Sequence, residues 1–144
     1  MKAPLISAVV AICFIAECDS KRDVETLQGK WQLTRMVGDF SFDLPSGKKT
    51  DGPEILIFTG DTFTFKNDGR HKTGTTGSFS CDETKSPNEI IFNFNGRKVI
   101  GIYKFSLAGL SICIGEDDQV APSQFRGGPG ARPALLVFER AKTE

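Results

Sequence analysis

The sequence holds a single histidine, His71, between Arg70 and Lys72 in a polar stretch. One imidazole cannot build a histidine-based metal site, nor supply a Ser-His-Asp arrangement with a reserve base. Its plain reading is a solvated loop residue. Serines are plentiful, but none lies in the Gly-x-Ser-x-Gly context that exposes a nucleophile on a strand-to-helix turn. Glu116-Asp117-Asp118 gathers the carboxylates that Ca²⁺ prefers, yet it lacks the spacing of a calcium loop and reads as a solvated turn. Glu54, Asp61, Asp68 and Glu89 fall near expected strand ends, where turn chemistry accounts for them. No acid–base pair converges. The sequence therefore points away from an enzyme and calls for no metal or other cofactor.

Cys81 and Cys113 invite a disulfide if the chain is exported. By strand count they lie on the fourth and seventh strands, which are not neighbours in an up-and-down barrel. A bridge needs Cα atoms within about 7 Å, so both are expected to be small buried apolar residues.

The elements that would position these side chains begin after a leader. Lys2 precedes an apolar stretch from Ala3 to Ala16, broken by Pro4 and Ser7, and charge returns at Glu17, Asp19, Lys21, Arg22 and Asp23. This is the layout of a secretory signal peptide over residues 1–18, shorter than the roughly 20 residues of a spanning helix. It leaves residues 19–144 as one domain in the periplasm or cell envelope. Two processing routes fit. Ala16 and Cys18 can serve as the small pair before cleavage after Cys18. Alternatively Ile15-Ala16-Glu17-Cys18 resembles a lipobox with Glu17 in place of a small residue, and Cys18 would then carry a lipid anchor to a membrane. Lysine plus arginine and aspartate plus glutamate both number 18, so net charge is zero. No basic excess exists to hold a phosphate backbone, and a nucleic-acid partner is not expected.

Beyond the leader, Ser20 to Gly29 reads as one short helix, with Ser20 as cap, Asp23 in capping-box position and Gly29 as stop. The rest reads as eight strands: Trp31–Val37, Ile55–Thr59, Thr62–Lys66, Ser78–Cys81, Glu89–Phe94, Val99–Phe105, Leu110–Ile114 and Ala134–Arg140. Gly60-Asp61, Asn67-Asp68-Gly69 and Asn95-Gly96 mark turns, while residues 70–76 read as a polar loop. Eight short strands joined mostly to their neighbours predict an all-β, antiparallel up-and-down barrel with a short N-terminal helix. A two-sheet sandwich is the alternative, although only residues 38–53 and 115–133 are long enough for its crossovers.

Gly29-Lys30-Trp31, opening the first strand after a short helix, resembles the lipocalin and wider calycin pattern. That resemblance implies that Trp31 plugs the closed end while Arg140, from the last strand, lies across its indole. Such a cation–π contact is worth on the order of 1–2 kcal/mol. Arg35 is the rival partner, since strict alternation puts it on the face of Trp31. A closer resemblance spans nearly the whole domain through Leu27–Trp31, Thr84-Lys85-Ser86-Pro87, Gly101-Ile102-Tyr103, Leu110–Cys113 and Phe125. It is to an uncharacterised lipocalin-like domain family abundant in planctomycete-type bacteria, often exported and without an assigned activity. The family's Arg-Pro-Thr-x-Phe segment stands here as Ala121-Pro122-Ser123-Gln124-Phe125.

Eight-stranded barrels are just wide enough for one small guest. Twelve phenylalanines against one tryptophan and one tyrosine suggest an interior of bulky apolar rings. The expected lining is Phe63, Phe65, Phe92, Phe94, Ile102 and Phe138, and the expected guest a small hydrophobic molecule. In the second reading the same rings fill the barrel and the domain works through its surface in the envelope. Rings that touch each other and rings that touch a ligand look alike in sequence.

Overall fold

A computed structural model describes residues 22–40, 54–67, 74–107 and 109–142. The expected signal segment, Cys18, the Ser20 cap, the Asp68-Gly69 turn and His71 lie outside the described residues. The order is α1 (Arg22–Leu27), β1 (Gly29–Val37), β2 (Glu54–Thr59), β3 (Thr62–Asn67), β4 (Gly74–Asp82), β5 (Glu89–Phe94), β6 (Arg97–Ser106), β7 (Gly109–Ile114) and β8 (Ala134–Arg140). Each strand pairs antiparallel with the next, and β8 returns to β1, so the sheet closes into an eight-stranded barrel. Closure rules out the sandwich and leaves no edge along β1 or β8.

Antiparallel order sends every second connection to the same end. One end carries α1 and the β2–β3, β4–β5 and β6–β7 turns, and is called here the helix end. The other, the rim, carries the end of β1, the β5–β6 hairpin and the start of β8. Asn95 and Gly96 both have positive φ, 51° and 72°, as a two-residue turn matched to strand twist requires.

Four details depart from plain alternation. Helix α1 ends at Leu27, and Gly29, the expected stop, already opens β1. Strand β4 starts at Gly74, inside the stretch read as loop. Its threonines are β-branched strand formers: Thr75 turns inward, and the hydroxyl of Thr76 lies 3.2 Å from that of Thr64 on β3. On β1 the register against β8 slips between Leu33 and Arg35, making Thr34 a bulge whose hydroxyl donates to the Val137 carbonyl at 3.1 Å. The bulge reverses alternation, so Arg35 pairs with Val137 rather than an inward residue and is exposed.

The fourth departure corrects Ile102. It pairs laterally with Glu89 and Cys113, while its neighbours Gly101 and Tyr103 belong to the inward row with Ile90 and Ile112. Ile102 is buried on the outside of the barrel. Segment 115–133 covers this row: the Cys113 thiol donates to the Arg126 carbonyl at 3.4 Å, and Gly127 lies against the Val37 carbonyl. A long segment packed over a sheet's outer face makes apolar residues there look inward in sequence.

Candidate functional site

At the helix end, Trp31 is buried and the Arg140 guanidinium carbon lies 3.9 Å from its ring centroid. The same two side chains hold the end of α1. Arg140 Nη1 donates to the Gln28 carbonyl at 2.6 Å, Arg140 Nη2 to the Thr26 carbonyl, and Trp31 Nε1 to the Leu27 carbonyl at 2.8 Å. Gln28 supplies the rest, its amide nitrogen reaching Val24 O at 3.1 Å and its backbone N–H reaching Glu25 O at 3.2 Å. A helix leaves its last four carbonyls without intrahelical donors, and a cation there also opposes the helix dipole. Gly29 has φ +109°, and a Cβ built on it would stand 3.1 Å from Arg140 Nη1, so the close approach needs glycine. The sequence marks the stacking pair, but not its capping of α1, because the acceptors are backbone atoms.

Beside this cap, Asp23 joins the helix to the wall. Its carboxylate accepts from Tyr103 Oη at 2.6 Å and from Asn88 Nδ2 at 3.5 Å, while its backbone N–H donates to Glu83 at 3.1 Å. Burial, then the hydrogen bond given to Asp23, pushes the Tyr103 hydroxyl far up. Burial also pushes the neighbouring Cys81 thiol up to about 12, reinforced by the Asp23 and Glu83 carboxylates and partly offset by Tyr103. The Cys113 thiol is raised by burial as well. Neither cysteine is in a disulfide; Cys113 is buried and Cys81 half-buried. Protonated thiols of this kind are poor nucleophiles.

Inside the barrel, Phe63, Phe65, Phe92, Phe94 and Phe138 all belong to the buried core. The rings pack on one another. Phe58 and Phe79 meet edge-on at 4.7 Å between centroids, Phe63 and Phe92 at 4.9 Å, and Phe63 and Phe94 at 5.9 Å. These are contact distances for paired aromatic rings.

The rim is built differently. Phe40, absent from the expected site, is 6% exposed, with the guanidinium carbons of Arg97 and Arg132 at 5.6 and 5.4 Å from its centroid. Asp118 sits between the two arginines. Arg97 grips it through Nε at 2.6 Å and Nη2 at 3.0 Å, and Arg132 Nη1 reaches it at 2.9 Å. The pairing holds the Asp118 carboxyl below the usual range and raises Arg97. Asp118 is therefore no solvated turn residue. Arg132 Nε donates to Gly115 O at 2.6 Å, while its Nη2 is buried without an acceptor among the described residues. Only the carboxylate run 116–118 hinted at this cluster, since its cations are far apart in sequence. Among the described residues no three metal-ligating side chains converge.

Two clefts formed by described residues lie outside the barrel. One, of about 400 Å³, lies at the rim between β4 and the β5–β6 hairpin. The other, of about 580 Å³, lies along segment 115–133. Comparison with family models, curated proteins and solved structures gave no match.

Proposed function

We propose that the chain is an exported, non-enzymatic binding module that makes its contacts with its surface and keeps its barrel interior filled. One observation supports this above the rest: the inward phenylalanines occupy each other's contact distance, as in the 4.9 Å pairing of Phe63 with Phe92. A hydrophobic guest would have to part rings that are already in van der Waals contact, which costs the packing it replaces. The resemblance to an exported lipocalin-like domain and the charged–apolar–charged layout of residues 1–23 support placement in the envelope. A lipid on Cys18 would tether the barrel to a membrane face.

Mass spectrometry of the natively expressed protein, under native and then denaturing conditions, tests both parts. The expected denatured mass lacks residues 1–17 or 1–18, with an added diacyl mass if Cys18 is lipidated. The native mass should exceed it by no stoichiometric apolar guest. A retained lipid-like molecule at one per chain would overturn the filled-barrel reading, and a full-length cytoplasmic mass would overturn export.

A further inference from the structure

We propose that the helix end is the face the domain turns toward a lipid bilayer, held there by the anchor on Cys18 and by Leu107. The inference rests on the reading above that Cys18 carries a lipid, and names the surface which that lipid brings to the membrane. Cys18 precedes Arg22, the first residue of α1, by four residues. A chain of that length spans at most about 14 Å when fully extended. The far end of the barrel lies beyond its reach. Strand β6 has 10 residues. At roughly 3.3 Å per residue and a tilt of about 40°, such a strand rises roughly 25 Å along the barrel axis. An acylated Cys18 therefore keeps the helix end beside the headgroups, and the rim faces away.

A second feature marks the same end. Asp23 accepts from Tyr103 Oη at 2.6 Å and its backbone N–H donates to Glu83 at 3.1 Å, so α1 begins beside β6 and the β4–β5 turn. Four residues after Tyr103, the β6–β7 turn presents Leu107, which is fully exposed. The other large apolar side chains exposed among the described residues, Met36 and Val120, lie at the rim and on segment 115–133. The tether and an exposed leucine thus meet on one side of one end. At a turn tip Leu107 adds nothing to the core, and moving it from water to the acyl boundary is favourable. Charge does not choose the face. Arg140 is committed to the cap of α1, and exposed Glu25, Asp61 and Glu139 stand beside Lys30, Lys85 and Lys142. The wall is unsuited to lipid: the outward row of β3 to β5 exposes Thr62, Ser78, Ser80 and Asn93. The barrel therefore sits on the bilayer rather than crossing it, and contacts with partners fall to the wall and the rim.

Fluorophores placed at the two ends of β6 test the orientation. Leu107→Cys and Lys98→Cys, both at exposed positions, are expressed natively, checked for acylation by mass, labelled with a thiol-reactive fluorophore and reconstituted into phosphatidylcholine–phosphatidylglycerol vesicles. The protein without either substitution is the blank for Cys81 and Cys113, and unchanged Trp31 emission shows that each variant keeps its fold. Lipids carrying a nitroxide in the headgroup region should quench the label at 107 several-fold more than the label at 98, and aqueous iodide should show the reverse order. Equal quenching at both positions, or stronger lipid quenching at 98, in an acylated chain overturns the orientation alone. A processed mass without acyl groups overturns the anchor and the orientation with it.

Discussion

The two ends of the barrel use the same device, arginine against an aromatic ring, and complete it in opposite ways. At the helix end Arg140 spends its donors on the carbonyls of Thr26 and Gln28, and Trp31 covers Leu27. Donors and acceptors match, and the end satisfies itself. At the rim two guanidiniums flank Phe40 and divide one carboxylate, and Arg132 Nη2 is buried with no acceptor among the described residues. An end that closes its own hydrogen bonds fixes the helix against the barrel, whereas the shared carboxylate at the rim ties together stretches far apart in sequence.

The sharpest way to break this contrast is at Trp31. Trp31→Ala empties a large buried aromatic site and should cost roughly 3–5 kcal/mol in denaturant melts. Arg140→Ala should cost less, roughly 1–2 kcal/mol. The double mutant should cost less than the sum, because the residues share one contact and one cap. Strict additivity would mean that the helix end is not a single unit. Arg35→Ala should show no coupling to Trp31, since the Thr34 bulge turns it outward.

A smaller effect is expected at the rim. Asp118→Asn removes the carboxylate common to both arginines and should cost about 1 kcal/mol at neutral pH, because the pairs are partly solvated. The sign of its pH dependence follows from the lowered folded pKa. The contribution is fully present above the unfolded value of about 3.9 and is lost as pH falls through the folded value. The stability gap between wild type and Asp118→Asn should hold steady from about pH 8 to 5 and close in stronger acid. A gap that stays open there would show that the carboxylate's charge is not what matters.

A last expectation concerns reactivity rather than stability. With its pKa near 12, about one Cys81 thiol in ten thousand is ionised at pH 8. Native protein should resist iodoacetamide at Cys81, while denaturant should raise labelling by roughly three orders of magnitude as the thiol returns to its ordinary pKa near 8.5. Rapid labelling of the native chain would mean that the helix end is wetter than its hydrogen bonds imply.

Strand positions were legible because alternation follows directly from a barrel with one wet and one dry side. Glu89–Phe94 and Ala134–Arg140 fall where periodicity puts them, and the Asn-Gly pair turns as its φ angles demand. Arg35 and Ile102 mislead for two different reasons. A single extra residue at Thr34 inverts one strand beyond it, and segment 115–133 buries an outer row that alternation assigns to solvent. The rim cluster was least legible. Phe40, Arg97, Asp118 and Arg132 come from four separate stretches, and no local pattern joins them.

The cap on α1 also sets an order of events. Arg140 follows Gln28 by 112 residues, so the first described element waits for the last strand before anything holds its end. Six residues are too few to stay helical alone. During synthesis from the N-terminus, β1 likewise has no β8 to pair with until nearly the whole domain has emerged. The growing chain must therefore carry an open sheet edge, a template for joining other chains, through most of its translation. The closing event is late, long-range and entropically slow.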